Sequence, residues 1–391
     1  MDLDFSEADL AFRAEVRDWL AGHVPATPLP SLETAEGFAA HREWEAELAA
    51  DRWSVVSWPE EYGGRGSSIL YWLIFEEEYF AAGAPGRVSQ NGINLLAPTL
   101  FEHGTAEQRA RVLPSMARGE VIWAQAWSEP ESGSDLASLR STAVRTEGGW
   151  LLSGQKTWSS RAAFADRAFG LFRSDPGAAK PHQGLTYLMF PLDAEGVTVR
   201  PIGRLDGKPA FAELFLDQVF VPDQDVIGEP GQGWRVAMST TGNERGLTLR
   251  SPGRFTAAAD RLTALWREQD DPTDTALRDR VADAVIGARA YRLFSFAGAS
   301  RILHDEDGAA PAASSLNKIY WSELDIALHE TALDLLGPYG ELADHAAESP
   351  AHGAWAEGHT FSLAGPIYAG TNEIQRDIIA ERLLGLPKGR R

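Results

Sequence analysis

The run Gln125-Ala126-Trp127-Ser128-Glu129-Pro130-Glu131-Ser132-Gly133-Ser134-Asp135 is dense in hydroxyls, small residues and backbone N–H groups able to point outward. Further along, Gly154-Gln155-Lys156-Thr157-Trp158-Ser159-Ser160 sets an aromatic ring among hydroxyls. Donors of this kind can bond the edge of a flavin ring and a pyrophosphate, and an indole can wall off the face of the ring. Taken alone, both tryptophans also suit core packing in a chain with 13 of them, and Ser134 also suits a turn or a helix cap. A second kind of chemistry attaches to Glu244-Arg245. A carboxylate desolvated in a pocket can act as a base, whereas most glutamates beside an arginine are ordinary helix residues. Glu373, after Thr371, likewise reads as an exposed charge at a helix start. His41, His103, His182, His304 and His352 are scattered without metal-ligand spacing.

Periodicity supplies the elements that must position these residues. Ser6 followed by Asp9, with Phe5 and Leu10 set to staple, predicts a helix running through Trp19-Leu20. Up to residue 120 apolar residues recur mostly at helical spacing, with loops at Pro25 to Pro30 and Tyr62 to Ser68. Between residues 121 and 230 the texture changes to short runs such as Trp150-Leu151-Leu152, Leu185 to Phe190 and Val197-Thr198-Val199, which predict antiparallel strands. Helical patterns return after Gly233, over Arg280 to Arg301 and Leu316 to Leu336, with a turn-rich break from Asp305 to Ala313.

A chain of 391 residues with 44% hydrophobics can bury a large core and should divide into two or three subdomains. The absence of cysteine excludes disulfides, thiolate metal sites and a cysteine nucleophile, and fits a reducing, cytoplasmic setting. The acidic start Met1-Asp2-Leu3-Asp4 has no secretory pattern, and no stretch is apolar enough to predict a membrane span. A net charge of −20, from 36 basic and 56 acidic residues, argues against nucleic acid as a partner.

In chain order, these stretches resemble motifs of the acyl-CoA dehydrogenase family. Ser128-Glu129-Pro130 through Ser134-Asp135 is similar to its flavin loop, and Gly154 to Ser160 to its flavin-facing strand. Phe215 to Pro222 with Gly228 to Trp234 resembles the exit from its β domain. Asn243-Glu244-Arg245 falls in its last helical domain, and Ile367 to Arg376 is similar to its C-terminal loop. The resemblance implies an α+β chain with the acyl-CoA dehydrogenase-like fold: two α-helical domains flanking a central antiparallel β-barrel domain. The implied boundaries are 1–120, 121–230 and 231–391, the last a four-helix bundle.

The same resemblance implies FAD as cofactor. Gln125, Trp127 and Ser128 would lie near the ring, Ser134 toward the pyrophosphate or the substrate, Trp158 and Ser160 against the isoalloxazine, and Thr371 and Glu373 toward the adenosine half. The implied reaction is α,β-dehydrogenation of an acyl thioester, in which a carboxylate takes the α-proton and the β-hydride passes to the flavin. Many relatives carry that base in the C-terminal loop, where this chain has Ala369. A second branch, with the isovaleryl- and long-chain-type enzymes, places it immediately before an arginine on a helix, which here is Glu244. Arg245, Ala369 and Gly370 are the implied substrate contacts, with Arg245 in a positioning role.

The implied partners are an acyl-CoA or acyl-carrier thioester, an acceptor such as electron-transfer flavoprotein, and further subunits in a homo-oligomer or an α2β2 assembly. Two motifs depart from the family pattern. The Arg-x-x-Phe-Gly segment has only Arg267 and Arg278 as substitutes, and Gln-x-x-Gly-Gly-x-Gly appears as Asp334 to Gly340 with Pro338 inside it. Similar simplifications occur in heteromeric steroid side-chain dehydrogenases, in which one subunit type keeps a working site; Glu244 favours that type. The alternatives are oxidase or monooxygenase chemistry on the same fold, or a non-catalytic subunit of a heteromer.

Overall fold

Ser6 starts the first helix through a reciprocal cap. Its hydroxyl accepts the Asp9 N–H at 3.2 Å, and the Asp9 carboxylate accepts the Ser6 N–H at 2.9 Å. The helix, α1, spans Glu7–His23. Phe5 packs edge-on against Phe296 at 5.7 Å, and Leu10 is 52% exposed. A computed structural model describes residues 4–244, 250–268, 273–304, 313–342 and 346–388. After α1 come α2 (Ala35–Ala50), α3 (Ile69–Ala81), α4 (Ala97–His103) and α5 (Ala106–Ala117). The strands follow: β1 (Trp123–Ala126), β2 (Thr142–Thr146), β3 (Gly149–Ser160), β4 (Arg167–Arg173), β5 (Leu185–Pro191), β6 (Val197–Ile202), β7 (Phe211–Pro222) and β8 (Val226–Ile227). The chain then returns to helices: α6 (Gly233–Glu244), α7 (Pro252–Arg267), α8 (Thr275–Leu303), α9 (Ala313–Leu336), α10 (Ala354–Ser362) and α11 (Asn372–Ile378). The helix–strand–helix order expected from periodicity is present, while part of the turn-rich break lies outside the described residues.

The sheet is open and mixed. Its path runs β6-β7-β3-β2-β4-β5-β8, with β1 joined parallel to β4. The central strands β4 and β5 are buried on both faces, which is why they read as continuous apolar runs. β7 largely alternates buried and half-buried positions, as a strand with one covered face does. Trp150, Leu152, Phe172, Leu188, Phe190, Leu214 and Val219 form the core beneath it.

The chain folds as two compact units assembled from discontinuous stretches. One comprises 1–24, 68–84 and 245–391; the other comprises 25–67 and 85–244, and contains the sheet. In the helical unit, Phe255, Leu262, Tyr291, Trp321, Leu328 and Trp355 pack as one core. α7 crosses α3 at Gly253, where a Cβ would meet the Glu76 carbonyl oxygen at 2.5 Å and the Glu77 Cα at 2.8 Å, so only glycine allows the approach. The three consecutive buried glutamates of α3 are engaged within the same unit. Glu76 accepts from Ser251 at 3.1 Å, Glu77 pairs with Arg13 at 2.9 Å and with Arg292, and Glu78 pairs with Arg13 and Arg17. Among the described residues, no helix is long and apolar enough to cross a membrane.

Candidate functional site

In the sheet unit, β1 feeds directly into the hydroxyl-rich loop, and β3 passes beside that loop. Thr157 donates its backbone N–H to the Ser128 carbonyl at 2.9 Å. Beneath this contact the Lys156 ammonium is completely buried and donates to Glu129 at 2.8 Å, to the Leu171 carbonyl at 2.8 Å and to the Trp127 carbonyl at 3.3 Å. All three donors of the ammonium are thereby used. Glu129 in turn accepts the backbone N–H groups of Arg140 at 2.6 Å and Ser141 at 2.9 Å. One ion pair therefore ties together the start of the loop, its far end, β3 and β4. Burial pushes the Lys156 ammonium down to about 8, against the pull of Glu129. Burial alone would raise the Glu129 carboxyl, but Lys156 and the hydrogen bonds from Arg140 and Ser141 outweigh it and hold it below its ordinary value.

The next residues on β3 break the ladder. Lys156 pairs with Leu214 and Ser159 with Ala212, so β3 carries one more residue than β7 over this step, which is a β-bulge. Trp158 sits in the bulge at φ +59°, a left-handed conformation unusual for a bulky residue. Its indole is 60% exposed, supported on one side by an edge-on contact with Phe211 at 5.8 Å. Strain spent on exposing a large apolar ring is not how a core tryptophan behaves. Trp127, by contrast, is buried edge-on against Tyr187, yet its indole N–H has no acceptor among the described residues. Ser128 and Gln125 are half-buried, Ser160 closes β3 half-buried, and Ser134 lies exposed on the loop. An exposed aromatic platform beside a buried, unanswered donor and a serine suits a flat conjugated ring with acceptors on its edge, so the residues present fit a flavin.

Helix α6 reaches the same region. The Tyr187 hydroxyl lies 3.2 Å from the Thr240 hydroxyl, which also meets Thr99 at 2.7 Å. Glu244 follows Thr240 by one helical turn as the last residue of α6. The Glu244 side chain and the whole of Arg245 lie outside the described residues.

The remaining expected residues belong to the helical unit. Ala369 and Gly370 are successive left-handed residues, at φ +57° and +77°. The Gln375 side-chain amide holds both of their carbonyls, at 3.1 and 3.2 Å, while its own oxygen is buried without a partner among the described residues. Thr371 caps α11, accepting from the Ile374 N–H at 3.3 Å. Asn372 behind it accepts from Lys318 at 2.7 Å. Glu373 is exposed, and its carboxyl is lowered first by its own backbone N–H and then by Thr371. A cavity of about 750 Å³ in the sheet unit, lined by Gln108, Arg111, Arg145, Trp150 and Asp223, contains none of these residues. Its arginines are already paired with Asp225 and Asp223.

The residue-level reading assigned no role to Glu129 or Lys156, although both stood inside the quoted motifs. The signal was the opposite charge of the two residues, one in each motif. Three family models match the chain in succession: acyl-CoA dehydrogenase N-terminal domain over residues 6–120, middle domain over 124–219 and C-terminal domain over 231–384. The chain is 38% identical to the acyl-CoA dehydrogenase IpdE1 of Mycolicibacterium smegmatis, covering 96% of this chain and 97% of that one. Its fold matches the ChsE4-ChsE5 complex from Mycobacterium tuberculosis at a TM-score of 0.87 and 30% identity over the full length of both chains. It also matches the structure titled Tcur3481-Tcur3483 steroid ACAD at a TM-score of 0.87 and 29% identity, again covering 100% of each.

Proposed function

Because the chain belongs to the acyl-CoA dehydrogenase family, we propose that it is an FAD-dependent acyl-CoA dehydrogenase in which Glu244 removes the α-proton of an acyl thioester. The observation that carries the flavin part is Trp158, raised exposed on a left-handed bulge next to Thr157, whose N–H bonds the Ser128 carbonyl of the hydroxyl-rich loop. FAD, when bound, accepts the β-hydrogen as hydride. The work of the chain is to hold that ring and to move the proton. Trp127, Ser128 and Gln125 address the ring edge, Trp158 and Ser160 its face, and Ser134 the pyrophosphate or the substrate. Thr371 and Glu373 are assigned to the adenosine half.

For the proton, Ala369 offers no carboxylate, so the base must come from elsewhere. Glu244 is supported by its place one turn beyond Thr240, whose hydroxyl meets the tyrosine beneath Trp127. A carboxylate aligned with an α-C–H in a water-poor pocket supplies general-base catalysis. Arg245 is assigned to positioning, and the backbone of Ala369 and Gly370 to the thioester. The division at residues 120 and 230 is retained as our reading, supported by the family models meeting near those points. The relatives named as a steroid acyl-CoA dehydrogenase and as a two-component complex support a bulky acyl group and an assembly of more than one chain, homo-oligomeric or α2β2. Electron-transfer flavoprotein is the proposed acceptor.

Purified protein should be yellow, with about one FAD per chain, and should bleach under anaerobic acyl-CoA. Slow reoxidation in air would mark a dehydrogenase and fast reoxidation an oxidase. A colourless chain that takes up no FAD would leave only a non-catalytic subunit.

A further inference from the structure

Several arginines of the helical unit pair with carboxylates, while Arg261 lies over the Trp355 ring at 5.7 Å without one among the described residues. Arg254 holds Asp325 at 2.7 Å, Arg376 holds Glu323 at 2.6 Å, and Arg292 holds Glu77. Arg250, just before α7, is also without a carboxylate among the described residues, but unlike Arg261 it is half-buried. Its guanidinium lies over the ring of Trp321 at 4.8 Å and over that of Tyr368 at 5.2 Å. Its Nε is buried with no acceptor, and among the described residues the guanidinium makes no hydrogen bond and no ion pair. In a chain with 56 carboxylates and only 36 basic residues, a half-buried guanidinium without an acidic partner is not explained by a shortage of acids. Its backbone is also fixed, because the Tyr291 hydroxyl donates to the Arg250 carbonyl at 2.6 Å.

The position of the guanidinium suggests a ligand. Tyr368 is followed directly by Ala369 and Gly370, whose carbonyls are clamped by Gln375. A molecule lying along that backbone would pass within one residue of the ring that supports Arg250. We propose that Arg250 recognises a carboxylate carried by the acyl part of the thioester, so that the substrate class is an acyl thioester bearing a second, anionic oxygen group. This rests on the thioester reading above and adds the identity of the acyl group to it. The Trp321 and Tyr368 rings lie 5.7 Å from each other, so both pack on the guanidinium from neighbouring directions, and a guanidinium edge matches a carboxylate in bidentate fashion. A single cation packed on two neighbouring aromatic rings suits one negative charge better than a doubly charged phosphate.

The test compares adipoyl-CoA with hexanoyl-CoA, which have the same carbon count and differ in the terminal carboxylate, by calorimetric titration of the FAD-loaded protein. A charge-assisted pair of hydrogen bonds predicts that wild type binds adipoyl-CoA about 10- to 100-fold more tightly. In Arg250→Gln that ratio should fall to near one, and in Arg250→Lys, which keeps the charge but loses the fork, to an intermediate value. The Arg250 side chain has no hydrogen bond to lose among the described residues, so the melting temperature of the Gln variant reports whether folding is intact. A wild-type ratio near one overturns the proposal. So does an unchanged ratio in Arg250→Gln accompanied by loss of FAD, which would assign the guanidinium to a dinucleotide phosphate. Failure of wild type to bind either thioester would remove the thioester site itself, and the proposal with it.

Discussion

Replacing Lys156 with methionine removes the cation that holds the loop before Ser134 to strands β3 and β4 while roughly preserving volume. Three acceptors lose their donor: Glu129 and the carbonyls of Trp127 and Leu171. Glu129 keeps the backbone N–H groups of Arg140 and Ser141 but becomes a buried charge without a counter-charge. Breaking a buried pair from one side costs about 3–5 kcal/mol. For a unit of this size that is a fall of about 6–20 °C in the melting temperature. Adding Glu129→Gln removes the uncompensated charge, so the double variant should recover part of the loss. The pH dependence has a defined sign. Folded Lys156 loses its proton near 8, while the unfolded lysine keeps its own to about 10.5. Between those values the unfolded chain binds more protons, so the stability of wild type relative to Lys156→Met should grow as pH rises, by up to about 1.4 kcal/mol per unit. The assay is differential scanning calorimetry of both apoproteins at several pH values. A single variant within about 1 kcal/mol of wild type, or an advantage that shrinks above pH 8, would refute the reasoning.

Trp158→Gly should raise the FAD dissociation constant about 10-fold or more by removing the stacking ring, yet leave the apoprotein as stable as wild type or slightly more so, because glycine accepts φ +59° without strain. Fluorescence titration with FAD and apoprotein melting check the two halves, and a large loss of apoprotein stability would identify a core tryptophan instead. Gly253→Ala drives a Cβ against Glu76 and Glu77 and should lower the melting temperature of the helical unit, with a cost of about 1–3 kcal/mol as α7 is pushed off α3. Melting within a degree of wild type would show that the crossing is loose. Glu129→Gln should flatten the acid side of the stability profile. The lowered Glu129 carboxyl contributes stability that is present above about 4.5 and lost as pH falls through its folded value; unchanged acid sensitivity in calorimetry counts against that role.

The elements that could be read from sequence were those with strong local pattern: the Ser6 cap, the strand runs at 150–152, 185–190 and 197–199, and the long helices α8 and α9. The parallel pairing of β1 with β4 could not be read, because it joins segments separated by a whole hairpin and leaves no local signature. The packing of Phe5 against Phe296 could not be read for the same reason, since it joins residues far apart in the chain. Within the site, Trp127, Ser128 and Trp158 were marked by residue type, but the left-handed backbone that exposes Trp158 depends on a bulge set by the register of β7. Arg250 was invisible to sequence because what distinguishes it is a buried Nε without an acceptor among the described residues, which no local pattern records.

Single-turnover anaerobic flavin reduction, comparing wild type with Glu244→Gln, both loaded with FAD and mixed with the same acyl-CoA, tests the assignment of the base directly. Wild type should bleach rapidly, and the variant should keep its flavin while its reduction slows by about 10²- to 10⁴-fold, the usual cost of removing one positioned acid–base group. Bleaching of the variant at close to the wild-type rate would contradict the account.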